Sequence, residues 1–306
     1  MTTSRAIAQI GAALLVSFAA PLWAAEAPHD RGEYLFRVAG CGGCHTDEKN
    51  KGLALAGGPA LKTAFGTFYA SNITPDPVHG IGRWSEADFI RALRQGLSPT
   101  GKHYYPAFPY PSYTGLTDAD LRALWEYLRR QPPVAQASKP HELPWVLQAR
   151  PLMAVWKLFF FSPGQYAPRP DKDATWNRGA YLAESVVHCS ECHTPRNPLG
   201  ATRHGKHLSG TREGPEDSVV PNITPDKNTG IGLWRKNEIA EYLESGMTPD
   251  GDFAGDLMAE VIDRSTRHLV QADREAIATY LLSLPPATNA VRKKPKKSTD
   301  SDGPNF

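Results

Sequence analysis

The 306-residue chain has room for about two domains, and its formal charge of +2 points to neither nucleic acid nor a strongly acidic partner. Its 22% charged content and negative mean hydropathy are those of a soluble protein. With 27 prolines and 26 glycines it reads as short helices joined by many turns.

Residues 1–25 read as an export signal. Arg5 gives the positive start, an apolar run follows from Ala6 to Ala20, Pro21 breaks it, and Ala24, Ala25 and Ala27 supply the small residues of a cleavage region. That run is short for a membrane span, which needs about 20 residues. Residues 30–39 place Tyr34, Leu35 and Val38 on one helical face and lead into Cys41-Gly42-Gly43-Cys44-His45. A Gly- and Lys-rich loop comes next, then Asn72-Ile73-Thr74-Pro75-Asp76 and Gly80-Ile81-Gly82-Arg83-Trp84. Ser85 is the expected N-cap of a helix reaching Gln95, with Glu86 and Asp88 in its first turn. A Pro- and Tyr-rich loop carries His103 to Tyr110. Thr117 then caps a helix over 118–130, stopped by Pro132 and Pro133.

The same order returns after residue 175. Residues 178–188 lead into Cys189-Ser190-Glu191-Cys192-His193. Asn222-Ile223-Thr224-Pro225-Asp226 and Gly230-Ile231-Gly232-Leu233-Trp234 repeat the earlier segments, and helices are expected over 237–245 and 272–284. This is an internal duplication. Between the copies, Trp145, Trp156, Phe159, Phe160 and Phe161 make an apolar linker, with Pro151 starting a short helix. Such a linker is expected to pack between the units, with a membrane-surface or partner patch as the alternative. After residue 288 the chain is polar and basic, with Arg292, Lys293, Lys294, Lys296 and Lys297, and reads as a disordered tail.

C-x-x-C-H is the attachment sequence for c-type haem. Two thiols on one side of a helical turn can form thioethers with the two vinyl groups of one porphyrin, and the adjacent His then ligates the iron. A zinc site would not need the fixed adjacent His, and a thioredoxin-type pair would occur once and need none. Two copies make coincidence negligible. They use all four cysteines of the chain, so two covalently attached haem c groups are expected, held by Cys41, Cys44 and His45 and by Cys189, Cys192 and His193.

The second axial ligand of each iron decides its potential. The chain has four Met, at positions 1, 153, 247 and 258. In the second copy Met258, in a Gly-containing loop, is expected to be the ligand, and Met247, matched by Leu97, to be packing. The first copy has no Met at the corresponding place, where Phe108 stands. There His103 leads, His79 lies further off, and an open or water-ligated iron or Met153 are the alternatives.

Together the two haem motifs, the paired Asn-Ile-Thr-Pro-Asp segments, Tyr105-Pro106-Ala107-Phe108-Pro109-Tyr110 and Met258-Ala259-Glu260-Val261 resemble the cytochrome c subunits of membrane-associated bacterial dehydrogenases, such as those of alcohol and gluconate. The resemblance covers about residues 29–287. It implies haem ligation by Cys41, Cys44, His45, Cys189, Cys192, His193 and Met258. Two departures stand out: many members have Met where this chain has Phe108, and the alcohol and gluconate subunits carry three haem motifs.

The expectation is therefore a mainly α protein of two tandem class I-type cytochrome c domains, 29–134 and 175–287, joined by a packed apolar linker, 135–174. Its expected role is periplasmic one-electron transfer from a dehydrogenase catalytic subunit towards a respiratory acceptor, with a peripheral membrane contact as a further expectation and no nucleic-acid partner. A diheme enzyme with an open first haem, of peroxidase or thiosulfate-oxidising type, and a free electron shuttle are the rivals. No recognisable acid–base constellation supports the enzyme.

Overall fold

The computed structural model describes residues 30–291. The expected signal segment and the basic stretch 292–297 lie outside the described residues. Asp30 accepts the Glu33 amide and starts α1 (Arg31–Val38), and Thr117 caps α5 (Asp118–Arg129) in the same way. These two helices cross at Gly32, where a Cβ would lie 2.2 Å from the Ala123 carbonyl oxygen. The second copy repeats the crossing. Asp173 caps α7 (Ala174–Tyr181), which meets α11 (Gln271–Leu282) at Gly179, 1.9 Å from the Ala276 oxygen by the same measure. Only glycine allows backbones this close.

Between the crossing helices of the first half lie α2 (Cys41–His45), a hairpin of β1 (Ala60–Thr63) and β2 (Gly66–Tyr69), α3 (Glu86–Gln95) and α4 (Tyr110–Tyr113). Ser85 and Asp88 form a capping box at the start of α3. The hairpin pairs Ala60 with Tyr69 and Thr63 with Gly66, and is the only sheet among the described residues. After the linker helix α6 (Pro151–Phe160) and α7, the second half adds α8 (Ser190–His193), α9 (Lys236–Ser245) and α10 (Asp256–Arg264) before α11. The fold is mainly helical. One extra residue separates Tyr181 from Cys189 relative to the first copy, and the chain absorbs it in a π-helical turn, Leu182–Val186.

One apolar core runs through both halves, joining Leu35, Val38, Leu116 and Leu121 to Leu182, Val186, Leu269 and Ile277. A buried polar brace crosses the same boundary twice. Tyr34 donates to Asp273, which Arg178 grips from its own half with two hydrogen bonds. In the mirror arrangement, Tyr181 donates to Asp120, which Arg31 holds. Both carboxylates are buried, so each depends on its cation and its tyrosine.

The halves meet directly, and the linker touches both: Trp156 donates to the Leu199 carbonyl and the Tyr166 hydroxyl to Asn177 of the second half. Residues 134–142 run along the first half: Asn72 Nδ2 donates to the Val134 and Gln136 carbonyls, and Glu142 pairs with Thr67. Helix α6 is turned inside out. Lys157, its one charged residue, points inward and donates to the Gln95 and Gly96 carbonyls that end α3, so its ammonium caps a helix terminus instead of facing water. Leu158 and Phe159 are left 79% and 71% exposed, and nearby Trp145 85%. Residues 288 and 289, expected in the tail, are held by hydrogen bonds. Thr288 donates to Asp226, and Asn289 donates to the Ser209 and Gly210 carbonyls.

Candidate functional site

Each C-x-x-C-H turn follows a residue in the left-handed conformation, Gly40 (φ 66°) in the first copy and His188 (φ 49°) in the second. That reversal lets the lead-in helix end and the short helix of the motif begin. Burial pushes the thiols of Cys41 and Cys189 up to about 12 and that of Cys192 to about 11, and raises Cys44 as well. Cys44 is exposed and the other three are half-buried, so each pair presents unpaired thiols that the vinyl groups of a porphyrin could reach.

The two histidines are held identically. His45 Nδ1 lies 2.6 Å from the Ser71 carbonyl and His193 Nδ1 2.8 Å from the Pro221 carbonyl. A carbonyl only accepts, so the proton sits on Nδ1 and Nε2 keeps its lone pair for a metal. Burial lowers both imidazoles below their usual range, with these hydrogen bonds as the smaller opposing effect. The donor set thus fits a covalently attached haem that each histidine would ligate through Nε2.

The repeated Asn-Ile-Thr-Pro-Asp segments hold those carbonyls in place. Asn72 Oδ1 accepts from the Thr74 amide and hydroxyl, and Asn222 Oδ1 does the same with Thr224. Their amide groups donate to the chain beyond the last helix, at Val134 and Gln136 in one half and Ala287 in the other. Gly80 and Gly230 close each loop, with a Cβ at either position 2.1–2.2 Å from a threonine carbonyl oxygen. The sequence displayed these segments as a repeat, and their task is to seat the carbonyl that orients the histidine.

Across the boundary the two motifs approach each other. Cys44 is near enough to raise the Cys192 thiol. Ser112 Oγ of the first half donates to Glu191, which Arg196 also holds. Ser265 Oγ of the second half donates to the Val38 carbonyl at 2.6 Å, and a Cβ on Gly43 would lie 3.0 Å from the Arg264 side chain. Tyr113, buried, stands beside Cys41 and Cys44.

The candidate distal ligands divide. Met258 lies half-buried in the first turn of α10, not in a loop as expected, because the helix begins at Asp256. Met247 is 40% exposed, and its backbone bridges Phe253, the counterpart of the Leu97–His103 bridge in the first half. Phe108 packs against Tyr104 (5.5 Å between centroids) and Tyr113 (5.9 Å), so its ring is one residue from Cys41. His103 stands apart, on the linker side. Arg150 donates to its carbonyl, burial and nearby Lys157 lower its imidazole, and its Nδ1 is buried without a partner. His79 caps no motif. Its amide donates to Asp76 within the loop. Met153 is half-buried on α6.

Sequence reading missed the Tyr34–Asp273–Arg178 and Tyr181–Asp120–Arg31 braces. The signal was present, since Arg, Tyr and Asp recur in register in the two copies, but nothing in one sequence says that the tyrosines cross over.

Residues 29–132 match the family model described as cytochrome c. A diheme cytochrome c-type protein of Cereibacter sphaeroides is 44% identical over 263 residues, covering 83% of this chain and 85% of that protein. The fructose dehydrogenase cytochrome subunit of Gluconobacter japonicus is 40% identical, covering 83% of this chain and 52% of that subunit. The cytochrome c subunit of a quinone-dependent alcohol dehydrogenase from Gluconacetobacter polyoxogenes is 38% identical, covering 84% of this chain and 56% of that subunit. The chain thus spans about half the length of these last two relatives. The expected kinship with dehydrogenase cytochrome subunits is found.

Proposed function

The chain belongs to the cytochrome c family, and we propose that it is a periplasmic diheme cytochrome c passing single electrons from a dehydrogenase towards a respiratory acceptor. The observation that carries this reading is the pair of C-x-x-C-H turns, each with its histidine Nδ1 locked to a backbone carbonyl. Cys41, Cys44 and His45 would hold one haem, and Cys189, Cys192 and His193 the other. When bound, each haem supplies a one-electron iron couple. The residues around it exclude water, fix the histidine's rotation and offer or withhold a distal donor.

The reading divides the chain into two class I-type domains, 29–134 and 175–287, sharing one core. In the second, Met258 is the distal donor. In the first, Phe108 takes the corresponding place and has no lone pair. With His103 turned to the linker, an open or water-held distal face is the assignment that best fits the first site, and His103 ligation is the alternative outcome. A thioether donor would raise the potential of a haem held by the second half, which favours the first half as the side that faces the electron donor.

Helix α6 is anchored to the first half through Lys157 and reaches the second through Trp156, and its exposed apolar stripe supports docking of the dehydrogenase beside the first half. From it the rings of Phe161, Tyr110, Phe108 and Tyr113 follow one another at 4.9, 6.4 and 5.9 Å to the first motif. No helix among the described residues is long and apolar enough to cross a membrane, and the same stripe is the candidate for a peripheral membrane contact.

The test is stopped-flow reduction of the oxidised holoprotein by candidate dehydrogenases turning over their substrates. Reduction of both haems, slowed at least several-fold by Leu158→Ser with Phe159→Ser, is the expected result. No reduction by any dehydrogenase, together with peroxide turnover, would favour the enzymatic rival instead.

A further inference from the structure

We infer that His188, although it precedes the second attachment cysteine, is a positioning residue for the first haem site. The inference rests on the diheme reading above.

His188 holds a left-handed backbone position at φ 49°, where the first copy has Gly40 at φ 66°. Glycine takes this conformation without strain, while a side chain is disfavoured there, histidine less than most. The imidazole is thus held against the preference of its own backbone. Its contacts lie across the boundary. The ring packs edge-on against Tyr113, 5.4 Å between centroids, and the Ala39 carbonyl acts on its imidazole, against the larger lowering by burial.

Ala39 is the C-cap of α1 and stands two residues before Cys41. Three side chains converge on this helix end. The Tyr113 hydroxyl reaches the Ala39 carbonyl (3.4 Å), the His188 ring packs against Tyr113, and Ser265 donates to the Val38 carbonyl at 2.6 Å. These are carbonyls that a helix terminus leaves without an intrahelical partner. Two of the three groups come from the second half. The direction of α1 into Cys41 is therefore set in part by Ser265 and by Tyr113, which His188 steadies from the second half.

The reverse dependence is missing at this position. Gly40 has no side chain to send back, and the amide of Cys189 is held within its own half by the Ala183 carbonyl. At this position only the second half sends a side chain across, while Ser112 of the first half reaches the second motif at Glu191.

The test uses the full-length holoprotein and a redox titration followed by optical spectra. The two midpoint potentials are assigned by which one moves in Met258→Ala, the other being the first haem. His188→Gly accepts the backbone without strain and removes the ring. It should shift the reduction equilibrium constant of the first haem at least several-fold and leave the second within error. His188→Asn tolerates the left-handed position and keeps an N–H donor, so it should return the first haem towards the wild-type value. Ser265→Ala, which removes a separate anchor of the same helix end, should move the first haem in the same sense by a smaller factor. A shift confined to the second haem, equal shifts of both haems without recovery in His188→Asn, or no shift in His188→Gly would each overturn the inference. If Met258→Ala moves neither potential, the Met258 assignment fails, and the first haem is then identified as the step that remains in Cys189→Ala with Cys192→Ala; absence of both haems by intact mass would sink the diheme reading itself.

Discussion

The first and second attachment turns share a scaffold and differ in what surrounds it. Both enter from a left-handed residue, both lock a histidine Nδ1 on a carbonyl at 2.6–2.8 Å, and both seat that carbonyl with an asparagine clamp. Around this frame the first copy has Gly40, Gly42, Gly43 and Phe108, where the second has His188, Ser190, Glu191 and Met258. Attachment geometry needs hydrogen bonds at fixed places and so tolerates little change. The distal donor and the flank of the motif are single side chains, and exchanging them alters the electronic setting without disturbing the fold. On the function proposed above, duplication provides two haem seats that a few substitutions would make unequal.

The largest effect should come from emptying one seat. Cys189→Ala with Cys192→Ala should leave a protein one haem lighter by intact mass, destabilised by at least about 3–5 kcal/mol, the cost of removing a large buried aromatic. Because the two halves share a core, urea unfolding should show the loss as one transition for the whole molecule. Two separate transitions would break the claim of a common core.

Exchanging the distal residues attacks the asymmetry itself. Met258→Ala should abolish the weak red charge-transfer band of ferric His/Met haem and lower one potential, leaving the other nearly unchanged. Phe108→Met should do the reverse, adding a second such band and drawing the two potentials together. If Met247→Ala reproduces the Met258→Ala spectrum, the ligand assignment is wrong.

The two braces should be unequal as well. Asp273→Ala leaves Arg178, whose side chain is 16% exposed, without its carboxylate and should cost about 3–5 kcal/mol. Asp120→Ala leaves Arg31, 41% exposed and free to turn to water, and should cost about 1–3 kcal/mol. Denaturant titration of the two variants checks the ranking.

The smallest effect is one of pH. The His79 amide, with other loop amides, holds Asp76 below the usual carboxylate range, and the Thr229 and Thr288 hydroxyls with loop amides do so for Asp226. A depressed folded-state value means that the stabilisation is fully present above the unfolded value of about 4. It is lost as pH falls through the folded value. Asp76→Asn and Asp226→Asn should therefore be less stable than wild type at pH 7, with the gap closing towards pH 3 in urea midpoints.

Much of this is legible in the sequence. The two C-x-x-C-H motifs, the caps Ser85 and Thr117 and the repeated loops lie in short local patterns, and local patterns carry their chemistry with them. The linker is not, because its apolar residues suggest burial while one lysine decides the orientation of α6. Inward-facing Lys157 meets the open carbonyls of α3, a partner far away in sequence. The place of His103 is hidden for the same reason. Its loop is next to Phe108 in the chain, but the β-bridge to Leu97 turns it towards Arg150 and Lys157. The cross-boundary braces require knowing how the copies meet, and a repeat pattern is silent on that.

The central claim, two covalent haems made unequal by Phe108 and Met258, is tested most directly by a spectrally resolved redox titration of the purified holoprotein. The account predicts two one-electron steps of equal amplitude at separate potentials. The His/Met charge-transfer band should disappear wholly with the higher-potential step. A single step carrying all the haem absorbance, or a band that fades equally across both steps, would contradict it.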